Sequence, residues 1–392
     1  MSKNLKTTIL VAAGIAFTLA SCSEDETIAK VSTNLGERQE IEFTLDMMSR
    51  GTDRTVANLD TIWVYADDGA AEVFPATAFI KNEYGYFKPE KKIYWPDDKE
   101  NLNFTAFWPR LDLEGEKRPA SFVLNPGDDY PMKYKAAPTV GGFYDFITAT
   151  RQMSKEDYKG TIALNFTHAL TQVDFKVKQN PTADHRIEIY GYLLYHSPET
   201  RNYRFSDNSW EPINDYNTSI RGVPDEVLTV GEVPTSILPT NSQLYLVPGV
   251  WKFARWDKKM YNSFLYCLQL FVKIYDEDNN LIYPSKGDKN VRITMGNQTI
   301  YPRIPNQTVI KNFATLRDIS ECGVAFIQLG TDDLDAKPGY KYVFNIDFTF
   351  GAGYYSPQDP NAPYGPILKN PISAEVTIEE WNSTELDDME QN

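Results

Sequence analysis

Histidine, cysteine and paired carboxylates are the side chains of this sequence that could support catalysis or hold a metal ion. The 392 residues include only three histidines and three cysteines. The sequence lacks the G-x-S-x-G elbow, the P-loop, the dinucleotide fingerprint and H-E-x-x-H. His168 is the one histidine in an apolar segment, Asn165 to Thr171, and no activating partner is visible beside it. We therefore interpret His168 as a structural histidine and expect no catalytic residue, no metal site and no cofactor.

An acidic segment, Asp276 to Asn280, has the beginning of a calcium-binding loop. Such a loop needs glycine at its sixth position and glutamate at its twelfth, where this chain has Leu281 and Gly287. The segment is therefore predicted to be a hairpin turn between two strands.

The charge balance excludes one class of partner. Aspartate and glutamate number 54 against 39 lysines and arginines, which gives a formal net charge of −15. Proteins that bind nucleic acids need a basic surface to displace counterions from phosphates. We therefore expect no nucleic-acid partner, and no docking on anionic lipid through charge.

The N-terminus resembles a bacterial lipoprotein signal. Lys3 and Lys6 precede an apolar stretch from Thr7 to Ala20, which is too short to span a bilayer as a mature helix. The stretch ends in Leu-Ala-Ser-Cys22, which resembles a lipobox whose cysteine is acylated. We predict a signal peptide over 1–21, lipidation of Cys22, an acidic tether over 22–36 and a surface-exposed position on the outer membrane. A plain secretory signal with a chance cysteine is the alternative.

Cys267 and Cys322 remain once Cys22 is assigned to the lipid. Export from the cytoplasm permits a disulfide between them. Cys267, however, lies in an apolar, strand-like run, where a buried free thiol is equally expected. Spacing alone leaves both possibilities open.

Period-two hydrophobic alternation recurs along the chain, with turn residues between the alternating segments, and helical periodicity is scarce. This pattern predicts an all-β protein made of two tandem β-sandwiches. A polar break at 179–184 places the N-terminal domain at 37–182 and the C-terminal domain at 183–381. An acidic tail follows over 382–392.

One alternating strand is followed by an arginine-containing segment. The run from Glu40 to Met47 places four apolar residues on one face: Ile41, Phe43, Leu45 and Met47. The next residues, Ser49 to Arg54, are small and polar and contain Arg50 and Arg54, so a protease could reach this backbone. The alternative is that the two arginines are ordinary loop residues.

Seven separated segments of the chain form a set of motifs: 93–96 (Ile-Tyr-Trp-Pro), 102–109, 144–147, 166–173, 245–248, 337–344 and 374–381. Together they resemble the fimbrillin-like lipoproteins of Bacteroidetes, which form type V pili, and they occur in the order expected for that family. The resemblance implies transthyretin-like folds for both β-sandwiches. It also implies a fimbrial subunit or adhesin that partners other pilus subunits.

The resemblance further implies an assembly mechanism. In this family a protease cuts after an arginine and removes an N-terminal strand, and a strand of another subunit fills the vacated groove. Here Arg50 or Arg54 would be the processing site, and Ile41, Phe43, Leu45 and Met47 would form the removable strand. The tail after Trp381 holds only Leu386 and Met389 as apolar residues, which favours a tip or accessory subunit over a shaft subunit.

Two other classes of function stay open at this point. One is a surface glycan-binding lipoprotein of a polysaccharide-uptake system, with exposed rings near Tyr354 and Tyr355 stacking on sugars. The other is a glycoside hydrolase, which needs two carboxylates in one cleft.

Overall fold

A computed structural model describes most of the chain. The described residues are 38–45, 59–108, 122–124, 132–135, 145–197, 200–211, 218–255, 265–288, 293–295, 298–300, 304–355, 364–370 and 372–381. Cys22, Met47, Arg50 and Arg54 lie outside these ranges, as do the predicted signal peptide, the tether and the acidic tail.

The described residues form strands almost throughout. The strands of the first half are β1 (Phe43–Leu45), β2 (Thr61–Asp67), β3 (Glu72–Lys81), β4 (Phe87–Pro89), β5 (Asn101–Trp108), β6 (Phe122–Leu124), β7 (Met132–Lys135), β8 (Ile147–Ser154), β9 (Ile162–Leu164), β10 (Thr167–His168), β11 (Thr171–Lys178), β12 (His185–Ser197), β13 (Thr200–Arg204) and β14 (Ser209–Trp210). The remaining strands are β15 (Thr218–Gly222), β16 (Leu228–Thr229), β17 (Thr235–Ser236), β18 (Leu244–Leu246), β19 (Gly249–Trp251), β20 (Cys267–Asp276), β21 (Leu281–Tyr283), β22 (Ile293–Met295), β23 (Gln298–Ile300), β24 (Gly323–Ile327), β25 (Leu334–Ala336), β26 (Tyr340–Asp347), β27 (Tyr354–Tyr355), β28 (Gly365–Pro366) and β29 (Ala374–Glu380). One helix, α1 (Gln307–Phe313), is found in the described part of the chain.

The first sheet curls around its own core. Its strand order is β10-β8-β5-β2-β3-β4-β1-β9, so three strands lie between β5 and β1. In a flat sheet these two strands would be roughly 19 Å apart. Nevertheless the ring of Phe43 on β1 contacts that of Phe104 on β5, with 5.4 Å between the ring centroids. The sheet therefore bends until its two ends share one buried cluster, in which Phe43 and Phe104 both lie.

The outer face of this sheet is also covered. Trp63, Phe107 and Phe146 point away from the first cluster and pack with aromatic residues of β13 and its turn. The rings of Phe146 and Tyr203 have centroids 5.1 Å apart. β13 belongs to a four-stranded sheet of order β14-β13-β7-β6. Strand β2 is thus buried on both faces. An alternation of buried and exposed side chains along the strand would predict only one buried face.

Two further sheets face each other and form a β-sandwich, which we call the second sandwich because it follows the curled first sheet. One contains β17-β11-β26-β29 with β18 beside β11, and the other contains β15-β12-β20-β24-β27-β28 with β16 and β21 beside it. Alternate apolar residues of β11 and β26 meet those of β12 and β20 in one buried cluster. The stacked rings of Phe175 and Phe344, 5.4 Å apart, join the two central strands of the first of these sheets.

Helix α1 covers the other face of the sheet that contains β20. Asn306 caps the helix because its side-chain oxygen accepts the N–H of Val309 at 2.9 Å. Val309 and Phe313 are the buried residues of the helix. They pack in a third cluster with Phe271, Cys267 and Cys322.

The all-β prediction is confirmed, and the turn at Asp276 to Asn280 joins β20 to β21 as expected. Strand pairing crosses the predicted domain boundary at two places. β11 ends just before the polar break, yet it pairs in parallel with β26 from Gln172 and Lys341 onwards. β7 pairs with β13 across the same break. The division at residue 182 stays a prediction.

Candidate functional site

Strand β1 lies between β4 and β9. Phe43 pairs with Phe87 of β4 in antiparallel orientation, and Phe43 to Leu45 pair in parallel with Ile162 to Leu164 of β9. The backbone before β1 extends this pairing, since Ile41 N–H donates to the carbonyl of Ile93 at 2.8 Å. We call residues 39–45, which comprise β1 and the four residues before it, the β1 segment. It holds together strands that are far apart in sequence. We call the space that β1 fills between β4 and β9 the β1 groove.

The inward side chains of the β1 segment are part of the core. Ile41 and Phe43 are fully buried. The Phe43 ring meets that of Phe79 edge-to-face, with centroids 4.9 Å apart, in addition to its contact with Phe104. Leu45 is half-buried and packs against the same cluster. Full burial of one such side chain contributes about 1.5–3 kcal/mol, so an empty β1 groove would be costly to leave in water.

Two outward side chains of the β1 segment, just before β1, are acidic and pair with lysines. Glu42 Oε1 lies 2.6 Å from Lys88 Nζ on β4, and Glu40 Oε2 lies 2.6 Å from Lys92 Nζ in the loop after β4. The hydrogen bond that Lys92 Nζ donates to the Glu40 carboxylate raises the pKa of the Lys92 ammonium. The exposed faces of β1 and β4 are therefore matched in charge. Sequence reasoning missed both lysines, because nothing in the chain indicates which strand lies beside β1.

Tyr158 anchors the backbone at the beginning of the β1 segment. Its hydroxyl hydrogen-bonds to the carbonyl of Glu40 and lies 2.7 Å from the carbonyl of Gly160. The same hydroxyl accepts the N–H of Glu42 at 3.3 Å. Burial raises the pKa of Tyr158 to about 12. Tyr158 thus fixes the β1 segment to the turn before β9, a role that sequence reasoning did not identify.

The predicted processing site follows β1 directly in the sequence. Arg50 and Arg54 occur between Leu45, the end of β1, and Leu59, where the described chain resumes. Together with Met47 and Cys22, they stay predictions from sequence.

His168 has partners that the sequence did not reveal. Its Nδ1 lies 2.7 Å from Oδ2 of Asp145, and the side chains of both residues are almost completely buried. The imidazole also stacks on the indole ring of Trp381, which stacks in turn on Tyr245. The clue available in the sequence was that Asp145 and Trp381 both belong to segments that carry the family resemblance.

The two tyrosine rings that could have stacked on sugars, Tyr354 and Tyr355, are not exposed on the surface. Tyr354 is buried, and Tyr355 is partly buried against the second sandwich. Sugar binding by these two rings would require them to be exposed. Tyr354 and Tyr355 therefore give the glycan-binding alternative no support.

The two described cysteines are free and buried. Both lie in the cluster beneath helix α1. Desolvation raises the pKa of each thiol, that of Cys322 to about 12. Among the described residues, no group of three His, Cys, Asp or Glu side chains is arranged to hold a metal ion. Over that same part of the chain, no helix is long and apolar enough to cross a membrane.

Known proteins resemble this chain over most of its length. A family model described as fimbrillin-like matches residues 49–381. The chain is 25% identical over 232 residues to the fimbrium subunit Fim1C of Phocaeicola vulgatus, a match that covers 50% of this chain and 60% of that relative. It is also similar to the crystal structure of a fimbrial protein from Bacteroides vulgatus, with 17% identity, a TM-score of 0.50 and coverage of 88% of this chain and 99% of the other. The structural likeness shows a shared fold.

Proposed function

The chain belongs to the fimbrillin-like family, and from this premise we propose that it is a non-enzymatic subunit or adhesin of a cell-surface fimbrium. The proposal includes assembly by strand exchange. Proteolysis after Arg50 or Arg54 separates β1 from the rest of the chain, and a strand of another pilus subunit then takes its place in the β1 groove.

The observation that carries this proposal is the position of β1 inside the first sheet. β1 has a strand on each side, and its apolar residues reach the rings of Phe79 and Phe104. When β1 leaves, two strand edges and an apolar groove are exposed together. An incoming extended strand satisfies the backbone groups of both edges and fills the groove.

The position of the cut separates both β1 and the proposed lipid site from the rest of the subunit. The family match begins at residue 49, so cleavage after Arg50 leaves nearly all of the matched region on the assembled subunit. The removed segment carries Ile41, Phe43 and Leu45, and it also carries the proposed lipid site at Cys22. One cut therefore opens the groove and frees the subunit from an outer-membrane anchor.

A tip or accessory position is proposed for this subunit. The segment from Asn382 to Asn392 is acidic and has two apolar residues, Leu386 and Met389. A donor strand needs alternate apolar side chains to fill a groove such as that of β1. A segment of this composition fills such a groove poorly, so the subunit is better suited to accepting a strand than to donating this one.

The test is incorporation of a fluorescent peptide with the sequence of residues 39–46 into protein trimmed by an arginine-specific protease. The Arg50→Lys plus Arg54→Lys variant keeps both charges but resists that protease, so it is the matched control. Mass spectrometry of the new N-terminus identifies the cut. We expect incorporation into trimmed wild-type protein only. Equal incorporation before and after trimming would contradict a cleavage-triggered exchange, and unfolding on trimming would show that β1 is a permanent strand.

A further inference from the structure

We infer that the β1 groove selects an incoming strand with acidic side chains at the two outward positions that flank its first buried residue. This inference rests on the proposed strand exchange and specifies the partner: an extended segment of another subunit. The segment carries acidic residues where this chain has Glu40 and Glu42, and large apolar residues where it has Ile41 and Phe43.

The first line of argument is the pairing on the outward face. Glu42, the residue before β1, forms an ion pair with Lys88 of β4, and Glu40 forms one with Lys92 in the loop that follows β4. The side chains of Glu42 and Glu40 are 17% and 20% exposed, whereas those of Lys88 and Lys92 are 41% and 65% exposed. The two glutamate side chains are therefore less exposed to solvent than the lysines with which they pair. A neutral side chain at either position would leave its lysine without this cross-strand partner.

The second line of argument is that both lysines stay with the groove when β1 leaves. Lys88 belongs to β4, which pairs with β3, and Lys92 follows in the loop after β4. That loop, residues 90–92, contributes two lysines and one glutamate. The bared groove therefore has an aromatic floor and a basic rim on its β4 side.

The β9 side of the groove is neutral at the corresponding position. Thr44 of β1 pairs with Ala163, which points outward and is exposed. The preference for acidic side chains is therefore confined to the positions of Glu40 and Glu42. A glutamate moved from position 42 to position 44 should therefore lose its partner, although the total charge of the incoming strand is unchanged. Such a peptide is the control.

The long-range field of the protein opposes this preference. The full chain has a formal net charge of −15, and residues 1–50 account for only a small part of it, so the trimmed protein is still acidic and repels an acidic strand. In physiological salt, however, interactions between exposed charges are largely screened beyond about 8 Å. Pairs at 2.6 Å are screened far less, so local pairing rather than total charge decides which strand binds.

The experiment measures equilibrium binding of synthetic peptides to trimmed protein from which the β1 segment has been displaced. One peptide has the sequence of residues 39–46, and a second carries Glu40→Gln plus Glu42→Gln. A third peptide, with Glu42→Thr plus Thr44→Glu, keeps the composition and charge but moves one glutamate beside Ala163. We expect the second peptide to bind about three- to tenfold more weakly than the first, and the third to bind more weakly by a smaller factor.

The acceptor variant Lys88→Met plus Lys92→Met completes the test. It should bind all three peptides and should abolish the differences among them, because it keeps the apolar length of both side chains without their charge. Equal affinities of the three peptides for wild-type protein would overturn the selectivity and leave strand exchange standing. Failure of every peptide to bind trimmed protein would overturn both proposals.

Discussion

The imidazole ring of His168 lies flat against the indole ring of Trp381, with 3.9 Å between centroids and 12° between ring planes. His168 ends β10 at one edge of the first sheet, and Trp381 directly follows β29 at one edge of the second sandwich. At the edge of the imidazole, Nδ1 hydrogen-bonds to Oδ2 of Asp145. The stack thus joins the first sheet to the end of the last strand.

We predict that His168 and Trp381 are coupled in stability. His168→Ala and Trp381→Ala should each destabilise the protein by about 1–3 kcal/mol, because each removes a ring that is at least partly buried and has fixed partners. Their effects should be non-additive by about 0.5–1.5 kcal/mol, the coupling typical of an aromatic pair. Urea denaturation of the two single variants and the double variant measures this coupling.

Trp381→Phe is the control for that cycle, since it keeps a ring against His168. Additive losses would contradict a direct interaction. Loss of a measurable enzymatic turnover in a His168→Ala variant that folds normally would contradict its structural assignment.

The inward and outward positions of β1 should differ sharply in their contribution to stability. Phe43→Ala should destabilise the uncut protein by about 3–5 kcal/mol, because it empties a fully buried aromatic site. Thr44→Ala, the neighbouring outward position, should change stability by less than about 0.5 kcal/mol. Thermal unfolding of both variants checks this prediction, and similar losses at the two positions would show that the side chain of Phe43 does not anchor β1.

Removal of the Tyr158 hydroxyl should loosen β1 locally. Tyr158→Phe loses the contacts with Glu40, Glu42 and Gly160, so the amides of the β1 segment should exchange hydrogen faster than in the wild type. Hydrogen-exchange mass spectrometry on peptides covering residues 38–45 measures this effect. Tyr84→Phe, at an exposed turn, is the control and should leave the exchange unchanged.

The same tyrosine gives β1 a dependence on alkaline pH. The folded-state pKa of Tyr158, about 12, lies above the ordinary value of 10.0, so the folded protein favours the protonated phenol. Its stabilising contribution is complete below pH 10 and is lost as the pH rises from 10 towards 12. Other buried tyrosines titrate in this range too, so the wild type must be compared with Tyr158→Phe. The variant should lose less stability over this interval, and identical profiles would contradict the prediction.

The two buried cysteines should be unreactive in the folded protein. Burial raises the pKa of both thiols, so the reactive thiolate is scarce near neutral pH. In a Cys22→Ser variant, Cys267 and Cys322 should resist iodoacetamide when folded and react completely in guanidinium chloride. Intact mass spectrometry reports both states. Recovery of a Cys267–Cys322 disulfide from freshly purified protein would contradict the free-thiol structure.

Lipidation predicts a defined phenotype for the precursor. Cys22→Ser should abolish incorporation of an alkyne-tagged palmitate and release the protein from the membrane fraction, because acyl chains supply the anchorage. Ser23→Ala keeps the cysteine and should behave as the wild type. Wild-type protein without an acyl label would show that the N-terminus is an ordinary secretory signal.

Local alternation in the sequence was sufficient to predict the class of fold and the inward face of β1. Ile41 and Phe43 alternate with Glu40 and Glu42, and an extended backbone places successive side chains on opposite faces. The same reasoning failed for β2, where Trp63 and Val64 are both buried because each face of the first sheet is covered. Alternation describes one strand and contains no information about what covers its second face.

What only the tertiary structure decided is which strands become neighbours. β1 lies beside β9, more than a hundred residues later, and Lys88 and Lys92 complete its outer face. Asp145, His168 and Trp381 likewise meet only because β8, β10 and the end of β29 converge. Hydrophobic alternation is a local property of the chain. Pairing between distant strands depends instead on burying all the apolar faces together and satisfying every strand edge, so it is determined only when the whole chain has folded.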